Sequence, residues 1–233
     1  MVKGKAVLLG ATVLFLAVEC VLGVLVHTVP ASLVSNFRYA VLLLAFFFSF
    51  LFYERSVAFF SAQLALLCTV AADYILILHP EHGFHLALIF FLVAQLAWGC
   101  RLFVGTPHRR RRLHLPVRHL LAVAVPLIGL LFLGGRADTL ALLALCYLSC
   151  LLANLVLSFG AGESRWLFVA GFSLFLLCDL FVGFGMLGAY APIGDGWLIT
   201  LLTAPPIDME WVFYTPSQAL LSLSLLPRAL ARK

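Results

Sequence analysis

The feature that most constrains this chain is a series of eight continuous apolar runs, each close to 20 residues long. A helix of roughly 20 residues crosses the hydrocarbon core of a bilayer, which is about 30 Å thick. The runs lack the polar alternation of strands that face a barrel lumen, so they favour helices. The predicted spans are residues 6–27, 34–53, 59–78, 84–104, 117–133, 140–159, 166–190 and 209–226.

The composition supports this interpretation, because 64% of the 233 residues are hydrophobic and only 11% are charged. Soluble domains are about half apolar and about a quarter charged. We therefore predict an all-α, polytopic membrane bundle in which residues 1–233 form a single transmembrane domain. Such a protein belongs in the cytoplasmic membrane of a prokaryote or in an endomembrane of a eukaryote.

The distribution of positive charge predicts the orientation of the bundle. With eight spans, 13 of the 15 Lys and Arg residues lie on the side of the two termini, and only Arg38 and Arg136 lie on the other. Cytoplasmic loops are enriched in Lys and Arg, so we expect both termini in the cytoplasm. This topology accounts for the net charge of +5, and we expect membrane lipids rather than nucleic acid as partners. No feature of the sequence predicts an oligomeric state.

The segment between the last two predicted spans, residues 191–208, is rich in Gly and Pro around a short apolar stretch at 197–202. That stretch is too short to cross a bilayer. It is typical either of a plain extracytoplasmic loop or of an interfacial flap over a cavity.

Several polar side chains lie deep in the predicted spans, where ionisable groups are costly and often functional. Glu19, Asp73 and Asp179 are each the fourteenth or fifteenth residue of a span that runs outward, so they share one depth. Amides and phenols add to this set in the other spans; they are Gln95, Tyr147, Asn154, Tyr214 and Gln218. We predict that these groups surround a polar cavity inside the bundle.

Structural roles are the alternative for some of these residues. The amides of Gln95, Asn154 and Gln218 can join helices by hydrogen bonds, the tyrosines can serve as packing residues, and Glu19 can pair with an amide. The two aspartates are harder to explain in this way, because no Lys or Arg lies mid-span in this topology. We therefore expect at least one of them to be protonated at neutral pH. A protonated carboxyl beside an ionised one suits acid–base catalysis and also proton-coupled transport.

Other catalytic signatures are absent from the sequence, which contains no HExxH, G-x-S-x-G, P-loop or dinucleotide-binding motif. We expect no metal site and no other cofactor.

The segments around the candidate residues resemble the YhhN family of eight-helix membrane proteins, whose animal members are lysoplasmalogenases. Residues 68–78, C-T-V-A-A-D-Y-I-L-I-L, resemble the family's pattern of small residues, Gly-Asp and an apolar run, with Ala72 where Gly is usual. Residues 214–224, Y-T-P-S-Q-A-L-L-S-L-S, resemble its Y-x-x-A-Q motif and the Leu- and Ser-rich end that follows.

Two further segments are similar to the family with a substitution in each. Residues 90–98, F-F-L-V-A-Q-L-A-W, have Gln95 where the family usually carries His. Residues 170–180, A-G-F-S-L-F-L-L-C-D-L, have Cys178 in place of Ser. The chain therefore resembles a divergent member of the family.

The resemblance implies an integral membrane hydrolase that cleaves the vinyl ether bond of lysoplasmalogen to a fatty aldehyde and a glycerophospho-alcohol. The implied substrate is a lysophospholipid within the bilayer, and Asp73 and Asp179 would divide the acid and base roles. The residues expected to contact substrate or water are Tyr214, Gln218, Gln95, Glu19, Asn154 and Tyr147. Two other functions use the same buried groups: a proton-coupled carrier or permease, and a non-catalytic lipid-binding membrane protein.

Overall fold

The computed structural model describes residues 2–79, 83–188, 190, 196–205 and 207–226; 86% of the structure is helix, and the described residues include no strand. The helices are α1 (Val2–Thr28), α2 (Ala31–Ser49), α3 (Val57–Asp73), α4 (Phe84–Gly105), α5 (His108–Arg111), α6 (His114–Leu133), α7 (Thr139–Ser158), α8 (Arg165–Leu187), α9 (Trp197–Thr203) and α10 (Met209–Leu223). A π-helical turn, Tyr74–Leu78, continues α3. The prediction of an all-α, polytopic membrane bundle is confirmed.

A helix lies in each of the eight ranges predicted to span the membrane. Over the described residues, seven helical segments are long and apolar enough to cross a bilayer. The eighth, α10, has 15 residues, and at about 1.5 Å per residue a helix of that length is shorter than a hydrocarbon core of about 30 Å. As a straight helix, α10 is too short to extend across the whole core.

Six of the described helices form a closed ring in the order α2, α3, α4, α7, α8 and α10, with α10 packed back against α2. The remaining long helices lie outside this ring, α1 against α2 and α10, and α6 against α7. Outer faces of such a bundle meet lipid, and Leu131 and Phe132 on α6 are 75% and 70% exposed. The ring therefore has an interior that is bounded by its own helices.

One half of the ring interior is filled by aromatic side chains. Trp98 of α4 packs edge-on against Phe168 and Phe172 of α8, with ring centroids 6.1 and 6.2 Å apart. All three side chains are at most 1% exposed. On the same side, Arg101 of α4 donates a hydrogen bond to the carbonyl oxygen of Ser224. The three aromatic side chains, Trp98, Phe168 and Phe172, are called the aromatic plug. They close the half of the ring that lies on the side of the N-terminus of α1.

The helix starts at the opposite end of the bundle are held by aspartate caps. Asp138 caps α7 by accepting the Ala141 N–H at 2.8 Å, and it also accepts the Tyr190 hydroxyl at 3.1 Å. The backbone hydrogen bond from Ala141 is the main cause that lowers the pKa of Asp138. Asp208 caps α10 by accepting the Trp211 N–H. The Asp138 cap thus joins the start of α7 to Tyr190, which follows α8, and Asp208 joins the start of α10 to Arg38 of α2 by an ion pair.

The short apolar stretch between the last two predicted spans forms α9, which packs against α8 outside the ring. Trp197 at its start is 79% exposed. Residues 191–195 and 206 of this connection lie outside the described residues. An interfacial position for α9 fits its exposed tryptophan, because tryptophan is enriched at membrane interfaces.

Close packing of α8 on α10 generates a stability prediction. A Cβ at Gly171 would lie 2.9 Å from Cδ2 of Leu221, a fully buried side chain, whereas a Cβ at Gly185 on the same helix meets no described atom within 4 Å. Gly171→Ala is expected to lower the free energy of unfolding by about 1–3 kcal/mol through overpacking. Gly185→Ala is the matched control, expected to be neutral or stabilising because Ala favours the helix. Unfolding midpoints in detergent measure both, and equal shifts would contradict the close contact.

Candidate active site

A cavity of about 750 Å³ occupies the half of the ring that the aromatic plug leaves open. Its volume is within the range of about 300–1,000 Å³ that is common for ligand pockets. All six ring helices and α6 contribute to its lining. Phe132 of α6 lines the cavity and is also 70% exposed, so the cavity reaches the protein surface beside α6. By the predicted topology this is the extracytoplasmic half of the bundle.

The first acid in the cavity is Asp73, the last residue of α3. It is 4% exposed, and its Oδ2 accepts a hydrogen bond from the hydroxyl of Tyr214 on α10. The Tyr214 ring is held by Phe175 and Trp211, each with its centroid 5.3 Å away. The π-helical turn begins directly after Asp73. Such turns occur often at functional sites, and this one widens the helix beside the carboxyl group.

The second acid is Asp179 of α8, which also lines the cavity. Its Oδ2 accepts a hydrogen bond of 2.5 Å from the hydroxyl of Tyr147 on α7. Tyr147 is 6% exposed and packs against Phe91 with centroids 5.9 Å apart. Asp73 and Asp179 lie close enough for their charges to interact. The cavity therefore contains two neighbouring carboxyl groups, each with one oxygen bonded to a tyrosine.

Two of the predicted amides form a separate cluster that does not line the described cavity. Asn154 of α7 donates from Nδ2 to the carbonyl oxygen and to Oε1 of Gln95, both at 2.8 Å. Its Oδ1 accepts a hydrogen bond of 2.7 Å from Nη2 of Arg118 on α6. Gln95 and Asn154 are fully buried. This cluster joins α4, α6 and α7, the interhelical role that was the alternative for both amides.

Glu19 and Gln218 also lie outside the cavity lining that the structure describes. They are 3% and 1% exposed. Both oxygens of Glu19, and both Oε1 and Nε2 of Gln218, have no hydrogen-bond partner among the described residues. Buried polar atoms of this kind are usually satisfied by ordered water in native proteins. Of the eight predicted site residues, the structure thus brings four into the cavity: Asp73, Tyr147, Asp179 and Tyr214.

Arg38, Glu210 and Trp211 line the same cavity, although none of them is among the residues predicted from the sequence. Arg38 forms an ion pair with Asp208, and its guanidinium lies 5.3 Å from the centroid of the Trp211 ring. The sequence predicted that no Lys or Arg lies mid-span, but one basic side chain, that of Arg38, lines the same cavity as the two aspartates. Arg38 is the fifth residue of its predicted span, and the topology prediction treats it as a charge at the end of that span. A usable signal was present for Glu210, which lies one helical turn before Tyr214 and so on the same face.

A family model, described as the YhhN family, matches residues 33–225, which is most of the chain. The chain belongs to the YhhN family. Neither the curated proteins nor the solved structures include a match to it. Membership of the YhhN family suggests a lysoplasmalogenase-like function and agrees with a multi-pass membrane protein.

The YhhN match begins two residues into α2, so it covers nearly all of the ring and leaves out the whole of α1. Both Asp–Tyr pairs and all the residues named above as lining the cavity lie within the matched range, whereas Glu19 lies before it. The resemblance found in the sequence is therefore confirmed for the part of the chain that builds the cavity.

The amide of Asn154 has hydrogen-bond partners, whereas that of Gln218 has none among the described residues. This difference generates a second prediction. Asn154→Leu removes hydrogen bonds to the fully buried Gln95 and the half-buried Arg118 and is expected to lower the free energy of unfolding by about 1–3 kcal/mol. Gln218→Leu, a change of the same type at similar burial, is expected to be neutral or stabilising because its amide has no partner among the described residues. Thermal unfolding in detergent compares the two. A loss at Gln218 as large as that at Asn154 would mean that the Gln218 amide is fully hydrogen-bonded in solution.

Proposed function

We propose that this YhhN protein is an integral membrane hydrolase that cleaves the vinyl ether bond of lysoplasmalogen to a fatty aldehyde and a glycerophospho-alcohol. The observation that carries the proposal is the pair of neighbouring carboxyl groups, Asp73 and Asp179, in one cavity with largely apolar walls.

The reaction needs a proton donor and a carboxylate. The donor carboxyl protonates the vinyl carbon that is distal to the ether oxygen, which converts the double bond into an oxocarbenium ion. The second carboxylate stabilises that cation and removes a proton from the attacking water, so that a hemiacetal forms. Transfer of a proton from the hemiacetal hydroxyl to the ether oxygen breaks the carbon–oxygen bond. One water is consumed, and the products are the aldehyde and the alcohol.

The two tyrosines position the carboxyl groups for this chemistry. Tyr214 and Tyr147 each bond one carboxyl oxygen, which fixes the orientation of Asp73 and Asp179 and leaves the other oxygen of each for substrate or water. Both phenols are nearly fully buried and packed against other rings, so they have little freedom to move. Fixed hydrogen-bond donors of this kind reduce the reorganisation that charge development requires.

The remaining cavity walls provide a place for the alkyl chain. Leu140 and Leu145 of α7, Leu133 of α6 and Met186 of α8 all line the cavity. This apolar part includes the exposed Phe132, through which the cavity meets the lipid-facing surface of α6. A lysophospholipid in the bilayer could therefore keep its chain in an apolar environment as it enters between the helices.

The aspartates generate the first functional prediction. Asp73→Asn and Asp179→Asn are each expected to lower kcat for aldehyde release by at least about 100-fold, because general acid or base catalysis contributes roughly 10²–10⁴-fold. A coupled aldehyde assay on purified protein in detergent, with lysoplasmalogen as substrate, measures this loss. Glu163→Gln, at an exposed position between α7 and α8, is the matched control.

Folding of each variant is checked by its unfolding midpoint. Full turnover in folded Asp73→Asn and Asp179→Asn would contradict the mechanism. Absence of aldehyde from folded wild-type protein, together with proton-coupled uptake by sealed vesicles, would instead favour a carrier that uses the same acids.

The tyrosines generate a separate prediction. Tyr147→Phe and Tyr214→Phe each remove one hydrogen bond to a carboxyl group, an interaction worth about 1.5–3 kcal/mol when one partner is charged. If that stabilisation is lost in the transition state, kcat falls by roughly 10- to 100-fold while KM changes little. Tyr53→Phe, at an exposed position, is the control. Equal kcat values for the two cavity variants and wild type would show that the hydroxyls do not position the acids.

A further inference from the structure

The connection between α4 and α6 carries a concentrated positive charge on the outside of the bundle, away from the cavity. The arginines at 109–112 are consecutive, and they occupy α5 and the residue that follows it. Arg109, Arg110 and Arg112 are exposed, whereas Arg111 is half-buried. None of the three exposed arginines forms an ion pair with a described residue. We call Arg109, Arg110 and Arg112 the arginine patch.

Arg111 anchors this segment to the bundle. Its Nε donates a hydrogen bond of 2.9 Å to the carbonyl oxygen of Thr106, and its Nη2 donates one of 3.1 Å to that of Val104. Its guanidinium also lies 5.4 Å from the centroid of the Phe103 ring. The last carbonyl groups of a helix have no partner within the helix, and a cation beside them is favourable. The arginine patch is therefore attached to the end of α4, whereas the charges of an ordinary loop are mobile.

The helical geometry of α5 separates the patch from its anchor. Arg111 is two residues after Arg109 and so lies on nearly the opposite face, while Arg109 and Arg112 are three residues apart and share a face. Arg112 keeps helical backbone angles, so the spacing of about 5–6 Å between neighbouring Cβ atoms on a helix applies to this pair. Two guanidinium groups at this spacing are suited to the oxygens of one phosphate group.

The residues around the patch place it at the depth of lipid phosphates. Leu113 and Leu115 directly follow it, are exposed, and belong to a helical segment long and apolar enough to cross a bilayer. The hydrocarbon boundary therefore lies next to Arg112. On the neighbouring connection, the Arg165 guanidinium lies 4.6 Å from the centroid of the exposed Trp166 ring at the start of α8. Tryptophan is enriched at membrane interfaces, so Trp166 indicates the same level.

The charge of the patch favours an anionic lipid over a zwitterionic one. Glu163, the exposed acid between α7 and α8, forms no ion pair with the patch. An amine head group would thus bring its own cation to a surface that is already positive, whereas an anionic head group neutralises it. A soluble polyanion would contact the arginines but not Leu113 and Leu115 beside them, which a lipid contacts with its acyl chains.

We propose that the arginine patch is a binding site for an anionic phospholipid, with its phosphate held by Arg109 and Arg112 and its acyl chains against Leu113 and Leu115. None of these residues lines the cavity. The bound lipid is therefore distinct from the substrate of the proposed hydrolase, and its binding is measured without any reaction. Because it binds the folded protein, it also raises the unfolding midpoint.

The test uses native mass spectrometry of the full-length protein in detergent with an equimolar mixture of phosphatidylglycerol and phosphatidylcholine of the same chain length. The protein is expected to retain phosphatidylglycerol about tenfold or more over phosphatidylcholine, since each Lys or Arg near a membrane surface contributes roughly a factor of five. Equal retention of the two lipids would overturn the proposal. Displacement of phosphatidylglycerol by glycerol 3-phosphate, which has no acyl chains, would overturn the assignment of the site to a lipid.

Two double substitutions test the role of the patch. Arg109→Gln with Arg112→Gln is expected to remove most of the preference for phosphatidylglycerol. Arg109→Lys with Arg112→Lys keeps the charge, and its preference is expected to lie between those of wild type and the Gln variant. The matched control is Lys5→Gln with Arg55→Gln, which removes the same charge from exposed positions elsewhere on the predicted cytoplasmic side. It is expected to keep the wild-type preference.

Unfolding midpoints confirm that each variant is folded and give a second measure of binding. Added phosphatidylglycerol is expected to raise the midpoint of wild type and of the control, but not that of the Gln variant. An unchanged preference in the folded Gln variant would overturn the proposed site. An equal loss in the control would show that the preference comes from overall charge, and it would overturn the site as well. Aldehyde release from lysoplasmalogen bears on neither result, so the failure of the hydrolase proposal is distinguishable.

Discussion

The arrangement of helices around the cavity depends on how the bundle stabilises carboxyl groups that lie away from water. A buried carboxyl is tolerated when hydrogen bonds or a counter-charge replace its hydration. Each aspartate in the cavity obtains one tyrosine hydroxyl, and the two bonds have different consequences for the ring. The hydrogen bond from Tyr147 to Asp179 joins the neighbouring helices α7 and α8. The hydrogen bond from Tyr214 to Asp73 joins α10 to α3, which are separated by α2, so it links two helices that are not adjacent in the ring.

Polarity changes in steps along the axis of the ring. The ion pair of Arg38 with Asp208 lies at the start of α10, the two Asp–Tyr pairs lie about one turn deeper, and the plug of Trp98, Phe168 and Phe172 fills the other half. A lysophospholipid has the same order of polarity when its head group is at the interface and its first ether bond is below it. Under the proposed reaction, the plug keeps water and ions from the other side of the bundle away from the oxocarbenium ion.

The depth of a polar residue within its membrane span could be predicted from the sequence, whereas the direction in which its side chain faces could not. Span lengths predicted that Asp73 and Asp179 share a layer, and the structure places both in one cavity. The same reasoning grouped Gln95 and Asn154 with them, but these amides face a different part of the interior. In a membrane helix the lipid-facing and protein-facing sides are both apolar, so the hydrophobic pattern carries little information about rotation. Arg38 was missed for a related reason, because a charge near a span end is ordinarily read as a topology signal.

The position of Gln95 decides which groups can perform proton transfer. The family resemblance leads one to expect His there, yet Gln95 lies outside the described cavity lining and has its Oε1 engaged by Asn154. An amide neither releases nor accepts a proton at neutral pH, and this one has no contact with Asp73 or Asp179 among the described hydrogen bonds. Under the proposed reaction, proton transfer is assigned to the carboxyl groups of Asp73 and Asp179 and to water, with the tyrosines as donors that hold the two carboxyl groups. Vinyl ether hydrolysis is compatible with this restricted set, since it requires one acid, one base and water.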